Sequence, residues 1–141
     1  MTTQEAIKDI KQQFMVYRNG AVADTLRKAG YHQGVIFGLN VPQLADIART
    51  LERDTELAAQ LWNDRNVRES RLLASYLFPL DATSEQAKAV GSEIQTREEA
   101  DMLAFKWLRF LPFAGVLADE FAASDDDLHR YLSEAIHRFI D

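Results

Sequence analysis

Cysteine is absent from this sequence of 141 residues, and long apolar runs are absent as well. Without cysteine the chain has no thiol nucleophile, no iron–sulfur cluster and no cysteine-ligated zinc, which argues against redox chemistry. No stretch approaches the roughly 18 uninterrupted apolar residues of a membrane span. The residues after Met1 also lack the apolar core of a secretory signal. These absences predict a cytoplasmic protein that has no membrane partner.

The sequence also lacks any sustained alternation of apolar and polar residues, which is the pattern of a half-buried β-strand. Apolar residues recur instead at intervals of three and four, as along the buried face of an α-helix. The longest such series comprises Ala100, Leu103, Ala104, Trp107, Leu108 and Leu111. Trp62 and Trp107 both stand in such series, so we predict that they pack in the core. About nine helices are expected, with segment 31–40 forming a loop.

The three prolines of the chain mark turns at regular intervals. Pro42, Pro79 and Pro112 are separated by 37 and 33 residues, close to the repeat length of helical-repeat proteins. Helix pairs in such proteins bury their apolar faces by stacking on neighbouring pairs. We therefore predict an all-α fold with a single domain, residues 1–141. Its antiparallel helix pairs should stack into a right-handed superhelix, a HEAT/ARM-like α-α solenoid.

The last helix should present a polar outer side, as the terminal repeat of a stacked array requires. The residues assigned to that side are Arg130, Ser133, Glu134, His137 and Arg138. This pattern predicts that the chain ends near Asp141.

The net charge of -6 lies entirely in the second half of the chain. Residues 1–70 carry nine basic and nine acidic side chains, whereas residues 71–141 carry seven basic and thirteen acidic ones. Phosphate-driven binding of nucleic acid usually requires a basic face. The composition therefore limits nucleic-acid binding to a local basic patch, and it suits a basic protein partner for the second half.

One local basic patch is expected at the start of a single helix, where Arg65, Arg68 and Arg71 lie close together in sequence. Cations at this end oppose the helix dipole. We interpret them either as a site for the phosphates of DNA or the carboxylates of a protein partner, or as an ordinary solvated face. We predict no metal and no cofactor, since the histidines lack metal-ligand spacing and no glycine-rich phosphate loop is present.

Four segments resemble, in their order and spacing, the DNA alkylation repair family of HEAT-like proteins. They are FGLNVPQL at 37–44, DTELAAQLW at 54–62, RESRLLA at 68–74 and IQTREEAD at 94–101. The resemblance extends over about residues 10 to 121. It rests mainly on packing positions, so it implies the fold more directly than it implies an activity.

The resemblance implies a candidate catalytic residue, Asp101. In enzymes of the family an aspartate and two tryptophans surround an alkylated nucleotide without flipping the base into a pocket. The aspartate would stabilise positive charge on the sugar as an alkylated purine departs. The tryptophan one helical turn earlier corresponds to Arg97, which has the i, i+4 spacing needed to pair with Asp101. Arg138 lies where the resemblance places an arginine that contacts DNA.

The sequence departs from the family pattern at positions that bear on activity. Arg97 replaces an aromatic side chain, and Ala45 and Asp46 stand where DNA-binding members tend to carry basic residues. The later helices that bring the family's second tryptophan are not part of this sequence. We therefore predict a DNA alkylation repair-like helical-repeat protein that binds duplex DNA weakly and has little or no glycosylase activity.

Two alternatives stay open from the sequence. The first is a protein-interaction scaffold with no role in nucleic-acid binding, because helical-repeat stacks commonly offer their surface to a partner. The second is an active alkylpurine DNA glycosylase that uses Asp101.

Overall fold

The computed structural model describes all 141 residues and contains nine α-helices, one short 3₁₀ helix and no β-strand. The only extended pairing is an isolated parallel bridge between Val35 and Val67. The prediction of an all-α fold with about nine helices is therefore confirmed. No helix has both the length and the apolar character needed to cross a membrane.

The chain forms two compact units, Met1–Leu77 and Phe78–Asp141. The helices of the first unit are α1 (Thr3–Tyr17), α2 (Gly20–Lys28), α3 (Val41–Ala48), α4 (Thr55–Asn63) and α5 (Arg68–Ala74). The second unit contains α6 (Ser84–Gly91), α7 (Arg97–Lys106), the 3₁₀ helix Leu108–Phe110, α8 (Ala114–Ala122) and α9 (Asp127–Ile140). The single domain and the right-handed superhelix concern the whole chain, and they stay predictions.

In the first unit, a buried carboxylate on α5 fixes the loop between α2 and α3. Glu69 is fully buried, and its two oxygens accept hydrogen bonds from the backbone amides of Phe37 and Gly38 at 2.9 and 3.0 Å. Gly38 has a positive φ of 88°, and a Cβ atom there would lie 2.3 Å from the carbonyl oxygen of Asn19. Glycine is therefore required at this position, and the predicted loop at 31–40 is confirmed.

The second unit differs from the sequence-based expectation at the end of α7. The apolar series predicted a helix continuing to Leu111, but α7 ends at Lys106 because Trp107 adopts non-helical backbone angles. The indole nitrogen of Trp107 donates to the Pro79 carbonyl at 2.9 Å, and its ring stacks on Phe78 with centroids 4.5 Å apart. Trp107 is 1% exposed and Trp62 is 2% exposed, which confirms that both tryptophans pack in the core.

The last helix, α9, packs against both α7 and α8. Asp126 caps its first turn by accepting hydrogen bonds from the amides of Leu128 and His129. Leu132, Ala135 and Ile136 are fully buried, as expected for the inner face of an amphipathic helix.

One residue that the sequence placed on the outer side of this helix lies inside instead. Ser133 is only 4% exposed, because it follows Leu132 on the edge of the buried stripe and α9 has neighbours on two sides. The assignment of Ser133 to the polar outer side was therefore wrong.

The hydrogen bonds of the buried Glu69 carboxylate predict that this residue contributes strongly to the stability of the fold. Replacing Glu69 with alanine removes the acceptor of two backbone amides and a buried negative charge that pairs with the Arg68 guanidinium. We expect a loss of about 3–5 kcal/mol in the free energy of unfolding, measured by urea denaturation. The exposed Glu52 provides a control, since its replacement with alanine should change stability by less than about 0.5 kcal/mol. Equal effects of the two substitutions would contradict this account.

Candidate functional site

The candidate site lies within the second unit, where α7 and α9 face each other. Arg97, Asp101 and Phe105 are spaced at intervals of four, so they share one face of α7. Tyr131 and Arg138 are seven residues apart, two turns along one face of α9. The packing of α9 on α7 brings these two faces together.

The carboxylate of Asp101 is held by two side chains from α9. The Tyr131 hydroxyl lies 2.9 and 3.1 Å from its two oxygens and donates its single proton to the pair. A guanidinium nitrogen of Arg138 lies 3.5 Å from one of the same oxygens. The Asp101 side chain stays 42% exposed and that of Arg138 52% exposed, so both are open to a ligand.

Arg97 does not pair with Asp101, which corrects the expectation from their i, i+4 spacing. Its guanidinium instead lies over the aromatic ring of Tyr131, 4.8 Å from the centroid. Asp101 already receives a neutral donor and a cation from α9, whereas the Tyr131 ring offers Arg97 a negative π face at the surface. Arg97 and Arg138 therefore bracket the Tyr131–Asp101 pair.

These contacts perturb the acid–base behaviour of Tyr131 and Arg138. Burial raises the pKa of the Tyr131 phenol, and the hydrogen bond to the Asp101 carboxylate raises it further because a phenolate would be repelled there. The hydrogen bond with Tyr131 raises the pKa of Arg138, and the charge of Asp101 adds to this against the opposing effect of desolvation. The site therefore keeps a neutral phenol between one carboxylate and two guanidinium groups.

The predicted patch of Arg65, Arg68 and Arg71 is not a surface cluster. Arg68 is 4% exposed and donates to the Leu39 carbonyl at 3.0 Å, while also pairing with Glu69. Arg71 is fully buried; it donates to the Trp62 carbonyl at 2.8 Å, and its guanidinium lies 3.5 Å from the centroid of the Trp62 ring.

Only Arg65 of these three arginines lies at the surface. The sequence shows the charges of the three arginines, but the partners that bury two of them become visible only in the fold. Arg68 and Arg71 neutralise and cover groups inside the first unit, so the structure does not bring the three together as a surface for DNA or a protein.

Tyr131 is the site residue that the sequence did not reveal as one. It was assigned only to the apolar stripe of the last helix, alongside Leu128 and Leu132. A tyrosine on such a stripe needs a partner for its hydroxyl wherever the stripe reaches the edge of the core. The seven-residue spacing of Tyr131 and Arg138 indicates that they share one face of the helix. Their pairing with Asp101 depends on how α9 packs on α7, because Asp101 and Tyr131 are thirty residues apart in sequence.

The fold and this site define a helical protein with a carboxylate, a phenol and two arginines at one helix–helix junction. The chain matches the family model described as DNA alkylation repair enzyme over residues 10–135. Because the match covers most of its length, the chain belongs to the DNA alkylation repair enzyme family. No curated protein and no solved structure matches the chain significantly.

The Tyr131–Asp101 contact predicts a shifted phenol titration. The difference in ultraviolet absorbance between the protein and its Tyr131→Phe variant should show a midpoint above pH 10, the usual value for tyrosine. Burial and then the hydrogen bond to Asp101 raise the pKa in the folded state, so the neutral phenol contributes stability below about pH 10 that is lost as the pH rises through the folded pKa. In Asp101→Asn the midpoint should fall, because the repelling charge is gone. An unchanged midpoint in Asp101→Asn would contradict the contact.

Proposed function

We propose that this member of the DNA alkylation repair enzyme family binds DNA weakly and has little or no glycosylase activity. The proposed contact surface is the α7–α9 face, which comprises Arg97 and Asp101 of α7 and Tyr131 and Arg138 of α9. The observation that carries the proposal is the engagement of Asp101 by both Tyr131 and Arg138. A carboxylate that stabilises a developing cation acts best when its charge is not already compensated. Here its charge is shared with a phenol proton and a guanidinium before any substrate is present.

The charges at the site favour phosphate over a cationic sugar. Arg97 and Arg138 supply two positive charges and Asp101 one negative charge, and both arginines are exposed. Guanidinium groups bind phosphate oxygens in a bidentate manner, with little need for a deep pocket. Two phosphate contacts give only a modest affinity, which agrees with weak binding.

A second candidate function is base release from alkylated DNA by Asp101. One observation favours it: the Asp101 side chain is 42% exposed and lies on the same face as Arg97 and Arg138. A substrate phosphate that attracted Arg138 would leave Asp101 with only the Tyr131 hydrogen bond and restore more of its charge. If neither DNA binding nor base release is found, the remaining candidate function is binding of a basic protein by the acidic second unit.

The proposed DNA contact can be tested by fluorescence anisotropy with a labelled duplex across a series of salt concentrations. We expect binding at low ionic strength that weakens as salt rises, with the slope of log K against log salt reduced by about one in each of Arg97→Ala and Arg138→Ala. Arg130→Ala is the matched control, because Arg130 is also exposed on α9 but pairs with Asp127. The absence of salt-dependent binding to the duplex and to its separated single strand alike would overturn the proposal.

Glycosylase activity can be tested separately by chromatography of free base released from a duplex containing an alkylated purine. We expect release no faster than the spontaneous reaction, even with enzyme in excess over DNA. The matched variant is Asp101→Asn, which keeps the size of the side chain and removes its charge. Rapid release by the natural chain that is lost in Asp101→Asn would instead establish the enzyme and assign Asp101 to catalysis.

A further inference from the structure

A second group of cations and aromatic rings continues the α7–α9 face beyond Asp101. Phe105 lies one turn after Asp101 on α7, and its ring contacts that of Phe139 on α9 with centroids 5.0 Å apart. Arg109 lies over Phe105, 4.5 Å from its centroid, and over Phe110, 4.4 Å from its centroid. The group lies entirely within the second unit and takes no part in the contacts of Asp101.

Arg109 is fixed in place by the backbone. Its Nε donates to the carbonyl of Phe105 at 2.7 Å, at the end of α7 where carbonyl groups lack helical partners. The guanidinium is thus held between two aromatic rings by a carbonyl instead of by a carboxylate. Its orientation is set before any ligand binds, which lowers the entropy lost on binding.

Lys106 adds a second cation beside Arg109. Its ammonium group lies over the Phe105 ring, 4.6 Å from the centroid. Burial lowers the pKa of Lys106, and the nearby charge of Arg109 lowers it further. The two positive charges therefore repel each other, and both favour an anion over a cation at this end of the face.

The spacing of the arginines suits one nucleic-acid strand. The guanidinium carbons of Arg109 and Arg138 lie 5.8 and 6.0 Å from the centroid of the Phe139 ring, so they are within about 12 Å of each other. Phosphates follow one another at about 3.4 Å of axial rise along each strand of a duplex. The two arginines are therefore close enough together for both to contact phosphates of the same strand.

Phe110 presents an exposed aromatic ring on which the paired bases of an intact duplex cannot stack. It is 51% exposed, although it is a large apolar residue, and Arg109 holds its ring from one side. Bases stack on exposed aromatic rings with little dependence on sequence, but only where their faces are accessible. Inside a duplex the base faces are covered by neighbouring base pairs.

From these contacts we infer that the α7–α9 face binds single-stranded DNA in preference to duplex, with Arg138 and Arg109 on the phosphates and Phe110 stacked on a base. The inference rests on the proposed DNA binding and names the form of DNA that the face takes. Lys106 adds charge beside Arg109, and Arg97 extends the positive face at the opposite end.

The test measures the affinity of the full chain for a fluorescent oligodeoxynucleotide of about ten nucleotides, for the same sequence as a blunt duplex, and for a strand of abasic sites. We expect the single strand to bind about tenfold more tightly than the duplex or the abasic strand. Phe110→Ala should remove most of that advantage, and Phe110→Trp should retain it. Leu80→Ala is the control, since Leu80 is an apolar residue of similar exposure, 48%, in the segment between α5 and α6.

The outcomes separate this inference from the proposed function. Equal binding of single strand and duplex that weakens in Arg97→Ala and Arg138→Ala, with no effect of Phe110→Ala, overturns the inference and leaves DNA binding intact. An abasic strand that binds as well as the normal strand also overturns it, because stacking then contributes nothing. Failure of all three nucleic acids to bind overturns the inference together with the proposed function.

Discussion

The packing of α9 against α7 is the interaction on which the candidate site depends. The site's polar groups come from two helices: Asp101 from α7, and Tyr131 and Arg138 from α9. The buried side chains Leu132 and Ile136 hold α9 in register, so the apolar core sets the distances between the polar groups above it. A site of this kind is positioned by hydrophobic burial and not by its own hydrogen bonds, which lie at the partly exposed edge of the core.

The all-α fold and the burial of both tryptophans followed from the sequence, because helical periodicity reports directly on which face is covered. The end of α7 did not. The apolar series is equally compatible with a helix that continues to Leu111. Only the contacts of Trp107 with Pro79 and Phe78 show why the helix ends at Lys106. Tertiary hydrogen bonds of this type are invisible to a periodicity argument.

Charge alone predicts surface exposure correctly for some of the candidate arginines and wrongly for others. Arg97 and Arg138 are exposed as expected, whereas Arg68 and Arg71 are buried against Glu69 and Trp62. Arg68 is next to Glu69 in sequence, whereas Arg71 meets Trp62 only through the packing of α5 on α4. A flat guanidinium can be buried in such places while still donating hydrogen bonds. The identity of Asp101 as a candidate came from family resemblance, and its partners came from the packing of two helices.

The two tryptophans have a practical consequence for studying the chain. Each compact unit contains one of them: Trp62 lies in Met1–Leu77 and Trp107 in Phe78–Asp141, and both are almost completely buried. Arg71 lies over the Trp62 ring and Phe78 over the Trp107 ring, so the two indoles have different surroundings and should emit differently. A pair of single-tryptophan variants would therefore report the melting of each unit separately, and coincident transitions would reveal one cooperative folding unit.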